Sequence, residues 1–272
     1  MDEVFRAAVV QMTSGPDKAA NLAVAVRQVE AAAARGAALV VLPELFNCLG
    51  PLEHVVQQAE PIPGPTSTAM SRLARRLGIV LCAGSMCEQS GEPSRGYNTA
   101  LLFGRDGREL GRYRKLHLFD VDLPGKVSYE ESRWLRAGDS VVSIPTDLAH
   151  LGLAICYDLR FPELFRCCAD SGAEVLLVPS AFSAPTGRDH WDVLIRARAI
   201  ENQAFVLASN QCGQHTPSFS TWGHSAILDP WGDPLASLGD SEGIAVATID
   251  PGRLAEVRRS LPALSHRKIG RG

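Results

Sequence analysis

The chain has 272 residues, of which 46% are apolar and 21% are charged, and its formal net charge is −3 at pH 7. At this length a chain folds as one large domain or two modest ones and buries a substantial core. The slightly acidic balance, without a clustered basic face, argues against a nucleic-acid-binding protein. Because no apolar run reaches the ~18 residues of a transmembrane helix, we expect no membrane partner either.

The amino terminus and the cysteines predict the compartment. "MDEVFRAAVVQM" begins acidic and lacks the basic and apolar regions of a signal peptide. The cysteines number seven, an odd and uneven set that does not resemble a secreted disulfide framework. We therefore expect a cytoplasmic location. The histidines and cysteines show no metal-ligand spacing, so we expect neither a metal nor a cofactor.

The first half of the chain alternates between strand and helix patterns. "VFRAAVVQM" predicts a strand, "DKAANLAVAVRQVEAAAARG" a helix that stops at Gly36, and "AALVVLPE" a buried strand. A helix from Pro65 to Gly78 and the strand "IVLCAGS" repeat this unit. "YNTALLF" and "ELGRYRK" then predict a hairpin around the turn "GRDGR".

The alternation resumes after an irregular stretch from Leu116 to Asp139. We predict a strand at "LGLAIC", a helix at "FPELFRCCADSG", a strand at "EVLLVPS", a helix at "HWDVLIRARAIENQ" and a strand at "AFVLAS". "SAILDPWGDPLASL" reads as a hairpin, followed by the strand "GIAVATI" and a helix from Pro251. No linker interrupts the pattern, which predicts a single α/β domain over residues 1–272 with a short tail from about residue 264.

Three reactive side chains follow predicted strands, where ligands bind in α/β sheets. Glu44 ends "VVLPE", Lys115 ends the second hairpin strand, and Cys156 ends "LGLAIC". A cysteine attacks only as its thiolate, a glutamate can carry its proton, and a lysine can stabilise an oxyanion. We expect the glutamate and ammonium pair to keep the sulfur ionised. The backbone N–H of Tyr157 is a second oxyanion donor if a helix starts there.

Each of these residues also has an ordinary structural explanation. A cysteine in an apolar strand is usually a small core residue. A glutamate after a strand is usually a solvated loop residue, and Lys115 stands among surface-type arginines. Composition and spacing alone leave these alternatives open.

Three longer segments resemble the signatures of a known family. "LVVLPELF", "YRKLHLFDVD" and "GLAICYDLRFPEL" are similar to the glutamate, lysine and cysteine motifs of the nitrilase, or carbon–nitrogen hydrolase, superfamily, in its order and at its separations. "AVVQM", "YNTALLF", "TGRDHWDVLIRARAIENQ" and "GHSAILDPWGDPLA" match as well. The resemblance extends from Phe5 to about Ser265. It implies a four-layer αββα sandwich that dimerises into an αββα–αββα core through "FPELFRCCADSG" and the final helix.

The resemblance also implies roles for the candidate residues. Glu44 is implied as the general base, Lys115 as the cation that stabilises the intermediate, and Cys156 as the nucleophile. The family's second glutamate falls in "SYEESRWLRAGD", where the spacing to the Gly138 turn favours Glu131 and leaves its neighbour Glu130 open.

Within the family, "RKLHLFDVDLPGK" and "CYDLRFPEL" look most similar to the ω-amidase and deaminated-glutathione amidase group. That group hydrolyses the terminal amide of small dicarboxylate monoamides such as 2-oxoglutaramate. A distal carboxylate needs a fixed cation, and we predict that Arg160 provides it. By the same resemblance Phe182 and Thr186 line the substrate chain. Arg188 departs from that group, which usually carries proline at this position, and we expect it to add a further cation near the pocket.

Other functions stay open at this point. The same fold serves nitrilases and N-carbamoyl amine hydrolases. A protein of another class could use the fold as a non-catalytic scaffold, or use Cys167 and Cys168 for thiol transfer.

Overall fold

The structure is a computed structural model that describes residues 1, 3–124 and 127–269. The strands in these ranges are β1 (Phe5–Gln11), β2 (Ala37–Val41), β3 (Val80–Gln89), β4 (Gly96–Phe103), β5 (Glu109–Arg114), β6 (Asp120–Leu123), β7 (Val127–Glu130), β8 (Leu135–Arg136), β9 (Ser143–Pro145), β10 (His150–Leu153), β11 (Val175–Ser180), β12 (Phe205–Asn210), β13 (Cys212–Thr216), β14 (Phe219–Trp222), β15 (Ala226–Leu228), β16 (Pro234–Ser237) and β17 (Gly243–Ile249). The α-helices are α1 (Lys18–Ala34), α2 (Leu52–Gln57), α3 (Pro65–Leu77), α4 (Pro162–Asp170), α5 (Ala184–Asn202), α6 (Pro251–Ser260) and α7 (Ala263–His266). Two 3₁₀ helices cover Glu131–Arg133 and Cys156–Arg160.

Two mixed sheets organise the strands. The first has the order β17-β1-β2-β3-β4-β5, with β8 beside β4, and the second has the order β16-β15-β12-β11-β10-β9. In each sheet the three strands that βαβ units join, β1-β2-β3 and β10-β11-β12, run parallel. The strands β17, β4 and β15, which flank them, are antiparallel to their neighbours.

The sheets face each other across one apolar core and are covered by helices on their outer faces. The shared core joins side chains of β1, β2 and β3 to those of β10, β11 and β12, and α4 and α5 pack on the outer side of the second sheet. The outer face of the first sheet packs on α1 and α3. The predicted four-layer αββα sandwich is confirmed. Dimerisation, the single-domain organisation and the cytoplasmic location stay predictions.

Local sequence signals explain where several of these elements begin and end. Asp17 caps α1 by accepting hydrogen bonds from two backbone N–H groups of the first turn. Pro65 opens α3, and Gly78, with a φ of 65°, closes it in the left-handed conformation that favours glycine. The predicted hairpin of β4 and β5 is confirmed.

Two sequence-based expectations were wrong in detail. The strand predicted at "LGLAIC" ends at Leu153, because the chain turns into a 3₁₀ helix at Cys156. The stretch predicted to be irregular contains the hairpin of β6 and β7. A second hairpin, β13 with β14, was not predicted at all.

Candidate active site

Four reactive side chains from separate segments line one pocket. Glu44 follows β2, Lys115 follows β5, Glu131 opens the first 3₁₀ helix and Cys156 opens the second. All four are almost completely buried. The structure therefore brings together the residues that the sequence analysis singled out, and the surface and loop alternatives do not describe their positions.

Lys115 lies between the two carboxylates. Its Nζ is 2.9 Å from Oε1 of Glu44 and 2.9 Å from Oε2 of Glu131. Burial alone would lower the pKa of this lysine, but the charges of Glu131 and Glu44 raise that pKa well above its ordinary value. The ammonium therefore stays charged over the whole physiological pH range.

Backbone and amide donors fix the orientation of both carboxylates. The backbone N–H of Ala181 donates to Glu44 Oε2 at 2.7 Å, and that of Phe119 donates to Glu131 Oε2 at 2.6 Å. The Asn98 side chain donates to Oε1 of Glu44 at 2.7 Å and to Oε1 of Glu131 at 3.4 Å. Sequence reasoning missed Asn98, although a polar residue within the apolar strand "YNTALLF" was a signal that a buried partner exists.

The positions of Glu130 and Glu131 show which of the two glutamates lies beside the lysine. Glu131 is buried against Lys115, and burial raises the pKa of its carboxyl group although the lysine lowers it. Glu130 is exposed at the end of β7. The carboxylate beside the lysine is therefore that of Glu131.

Cys156 has a backbone φ of 48°, which places a non-glycine residue in the left-handed region. The Glu44 carboxylate and the backbone N–H of Ala181 lie near its thiol and act on the thiol's pKa. Burial, together with the charge of Glu44, raises the pKa of the thiol well above its ordinary value, and Lys115 offsets this in part. The thiol is therefore protonated at rest.

This finding corrects the expectation of a resting thiolate. The buried cluster of two carboxylates and one ammonium beside the sulfur already carries one net negative charge. A thiolate would add a second, and burial makes each unpaired charge costly. The sulfur can ionise only if its proton moves to a neighbouring group, and Glu44 is the acceptor in contact with it.

The four predicted substrate-binding residues line the same pocket. They are Tyr157, Arg160, Phe182 and Thr186. Tyr157 stands at the second position of the 3₁₀ helix, where a backbone N–H has no acceptor within the helix. Phe182 also belongs to the core through an edge contact with Trp191, and Thr186 Oγ1 lies 2.6 Å from Ser183 Oγ.

Arg160 places a guanidinium group at one side of the pocket. Its Cζ lies 5.3 Å from the ring centre of Phe182 and 5.7 Å from that of Tyr157, and its Nη1 lies 3.2 Å from Nδ1 of His190. Within residues 3–124 and 127–269 no carboxylate forms an ion pair with it. The prediction for Arg188 was wrong, because that side chain is exposed, pairs with the neighbouring Asp189 and does not line the pocket.

Two hairpins supply aromatic walls that the sequence did not reveal. Phe119 precedes β6 and Tyr129 lies in β7, while Phe219 begins β14. The Tyr129 and Phe219 rings stack with their centres 5.7 Å apart, and Phe119 contacts Tyr157 edge-on. The space between these walls is about 460 Å³ when the open solvent at its mouth is included.

The described part of the chain offers neither a metal-binding cluster nor a helix that could span a bilayer. No group of three histidine, cysteine or acidic side chains has the arrangement of a metal site there. Within the same residues, every helix is too short or too polar to cross a bilayer.

The fold and the pocket define a class of protein: a four-layer α/β sandwich that buries a cysteine, two glutamates and a lysine at one site. The family model described as carbon–nitrogen hydrolase matches residues 6–259. The chain is 44% identical over 266 residues to a deaminated glutathione amidase of Synechocystis sp., covering 97% of this chain and 98% of that protein. It is 39% identical over 264 residues to the human omega-amidase NIT2, covering 97% of this chain and 95% of that protein.

The crystal structure of the C. elegans NitFhit protein superposes with a TM-score of 0.91 at 37% identity. That match covers 97% of this chain and 65% of the worm chain, so this chain spans slightly less than two thirds of that protein. The chain belongs to the carbon–nitrogen hydrolase family. It is a hydrolase that acts on carbon–nitrogen bonds other than peptide bonds, and its relatives support an amidase activity in this fold.

Proposed function

We propose that the protein hydrolyses the terminal amide of small dicarboxylate monoamides and releases ammonia. The observation that carries this proposal is the guanidinium of Arg160, which lines the same pocket as the Cys156 thiol and forms no ion pair with a carboxylate of the described residues. A substrate with an amide at one end and a carboxylate at the other would match both groups. The names of the two relatives, one an omega-amidase and one a deaminated glutathione amidase, agree with this substrate class.

We infer that acylation begins with proton transfer from the Cys156 thiol to the Glu44 carboxylate. The sulfur then bonds to the amide carbon, and the carbonyl oxygen becomes an oxyanion that Lys115 Nζ and the Tyr157 N–H stabilise. Glu44 returns the proton to the departing nitrogen as the carbon–nitrogen bond breaks, so ammonia leaves and a thioester remains.

Deacylation uses the same groups. Glu44 takes a proton from water as the water oxygen bonds to the thioester carbon, and the same donors hold the new oxyanion. The carbon–sulfur bond then breaks, and Glu44 gives its proton to the sulfur. The products are a carboxylic acid and the resting thiol, so one amide and one water become one acid and one ammonia.

The charge in the pocket stays constant along this route. When Glu44 gains a proton, a negative charge appears on the carbonyl oxygen beside Lys115, and both changes reverse together. Because the site is buried, a route without net charge accumulation avoids the largest electrostatic cost. Glu131, which faces Lys115 and not the sulfur, positions the ammonium.

A panel of amides and related compounds tests the proposed function. Ammonia release would be measured from 2-oxoglutaramate, deaminated glutathione, a simple nitrile and an N-carbamoyl amine. We expect turnover of one or both of the first two compounds. Turnover of the nitrile or the carbamoyl compound alone would contradict the proposal and favour another branch of the family.

Arg160→Gln tests directly whether this arginine binds the distal carboxylate of the substrate. We expect KM for the preferred acidic monoamide to rise by roughly 10- to 200-fold, since a charge-assisted contact to a carboxylate contributes about 1.5–3 kcal/mol. The turnover number should change much less, because the guanidinium does not face the reacting carbon. The kinetic constants for butyramide, which has no distal carboxylate, should not change.

Arg188→Gln is the matched control, because it removes an exposed arginine that does not line the pocket. It should leave both kinetic constants unchanged. An equal loss for butyramide and the acidic monoamide in Arg160→Gln would show that the arginine serves the pocket's structure and not substrate charge.

A further inference from the structure

The motif "CYDLRFPEL" contains a buried carboxylate that the proposed mechanism does not use. Asp158 is two residues beyond Cys156, its exposed fraction is 0%, and its side chain does not line the pocket. A buried carboxylate is retained at a cost unless hydrogen bonds satisfy it. Its partners therefore indicate its task.

Asp158 holds the backbone immediately before the nucleophile. The N–H of Ile155 donates to Asp158 Oδ2 at 2.8 Å, and the N–H of Asp158 donates to the Ile155 carbonyl oxygen at 3.0 Å. This reciprocal pair closes a tight turn around Cys156, whose φ of 48° is unfavourable for a residue with a side chain. Such a conformation persists only where its surroundings enforce it.

The same carboxylate holds the segment that carries the lysine. The Tyr113 hydroxyl donates to Oδ2 at 2.7 Å, and the backbone N–H of His117 donates to Oδ1 at 3.1 Å. His117 Nδ1 lies 2.7 Å from Oδ1, a distance at which an imidazole N–H can donate to the carboxylate. Tyr113 and His117 stand two residues before and two residues after Lys115.

We propose that Asp158 is a positioning residue that sets the Cys156 sulfur and the Lys115 ammonium relative to each other. Its buried carboxylate fixes the turn before the sulfur, and it also holds residues on both sides of the lysine in the chain. The two reacting groups come from β5 and β10, which lie in different sheets, and no backbone ladder joins those strands. The carboxylate is a direct link between the two sheets beside the site.

Two features of the network support this task over simple stabilisation of the fold. All four hydrogen bonds of the Asp158 side chain go to residues within two positions of Cys156 or Lys115. Tyr113 also accepts a hydrogen bond from the N–H of Leu116 at 3.2 Å, so the phenol connects the carboxylate to the residue after the lysine. Burial and the charge of Asp158 raise the pKa of this phenol, which therefore stays a donor.

Asp158→Asn is the primary test, because it keeps the size of the side chain and replaces one acceptor oxygen with a donor. We expect kcat on the preferred amide to fall by about 100-fold, the usual consequence of a misplacement near 1 Å. KM should stay within about threefold, since Asp158 does not touch the substrate pocket. A merely structural residue would lower the folded fraction without separating kcat from KM.

A second readout needs no substrate and therefore survives a failure of the proposed function. Iodoacetamide labelling of Cys156, followed by peptide mapping, reports whether the thiol still meets its proton acceptor. We expect labelling of Cys156 to slow by about tenfold or more in Asp158→Asn. The exposed Cys167 in the same sample serves as the internal reference.

Asp229→Asn is the matched control. Asp229 is also a buried carboxylate that accepts hydrogen bonds from two backbone N–H groups, those of Trp231 and Asp233, but it lies in the turn between β15 and β16. The Asp229→Asn variant should shift the melting temperature and leave kcat, KM and Cys156 labelling unchanged. The proposal is overturned if folded Asp158→Asn labels at the rate of the unaltered protein or faster, or if its kinetic constants match those of Asp229→Asn.

Tyr113→Phe decides the matter if Asp158→Asn does not fold. This variant removes one hydroxyl and leaves the backbone contacts of Asp158 in place. We expect a fall in kcat of about threefold to tenfold with KM unchanged, in line with the loss of the hydrogen bonds to Asp158 and from Leu116. Full activity and full labelling in Tyr113→Phe would overturn the proposal in that case.

Discussion

Cys156→Ala is expected to lower the turnover of the preferred amide by roughly 10⁴-fold or more, the usual effect of removing a nucleophile. The sulfur is the atom on which the acyl group is carried, and no other group in the described pocket can replace it. Intact-mass measurement after rapid quenching should detect an acyl adduct on the unaltered protein. The same measurement on Cys156→Ala should show no added mass.

The fold should tolerate this change. The thiol is neutral at rest and its loss removes one small buried group, so the unfolding free energy should change by no more than about 1–2 kcal/mol. Cys167→Ala, which removes an exposed cysteine of α4, is the control and should keep full activity. An adduct on Cys167 or Cys168 in the unaltered protein, or an adduct that persists in Cys156→Ala, would contradict the assignment and favour thiol transfer.

The protonation state of the sulfur shows why the sequence could locate the site but not describe its chemistry. Glu44, Lys115 and Cys156 each follow a strand, a position that one-dimensional patterns can mark. The pKa of the thiol depends on its burial and on the charges of Glu44 and Lys115, which distant segments of the chain bring to it. Counting those charges requires the folded structure.

The residues that orient the site were hidden from the sequence for a related reason. Asn98 contacts Glu44 across 54 residues of chain, and Asp158 contacts Tyr113 across 45. Each stands in an apolar or mixed segment, where its type can signal a buried partner but does not say which residue that partner is. Only the meeting of two segments gives these side chains their tasks.

The four-layer fold was easier to predict from the sequence, because strand and helix patterns depend on neighbours along the chain. The α1 and α3 helices carried their stop and start signals in Asp17, Pro65 and Gly78. The two hairpins that wall the pocket carried weaker signals. The rings of Tyr129 and Phe219 stack against each other, although the two residues are 90 positions apart in the sequence. Tertiary packing, not local propensity, determines those walls.

Lys115→Met is expected to destabilise the protein strongly and to do so in a pH-dependent way. The variant keeps the length of the side chain but leaves Glu44 and Glu131 buried without their shared cation. Breaking a buried ion pair by removing one partner typically costs about 3–5 kcal/mol. Turnover should also fall by roughly 10²- to 10³-fold, because the oxyanion loses its charged donor.

The pH dependence follows from the carboxylates. Burial already raises the pKa of Glu131 in the unaltered protein, and loss of the ammonium, which lowers that pKa, should raise it further. A carboxyl group whose pKa is higher in the folded chain than in the unfolded chain binds its proton more tightly when folded, so acidification favours folding. The loss of unfolding free energy in Lys115→Met, relative to the unaltered protein, should therefore be largest near pH 8. It should shrink as the pH falls towards the ordinary glutamate pKa of about 4.3.

Denaturant unfolding of Lys115→Met, Lys18→Met and the unaltered protein at pH 8 and pH 5.5 measures this effect. Lys18 is the matched control, because its Nζ also contacts a carboxylate, that of Glu60, at 2.6 Å, but the lysine side chain is 24% exposed. Its loss should cost about 1 kcal/mol or less, since solvent screens a partly exposed pair. A deficit in Lys115→Met that is equal at both pH values would mean that the two carboxylates do not depend on the lysine for their charge. The further rise expected in the pKa of Glu131 on loss of the ammonium would then be wrong.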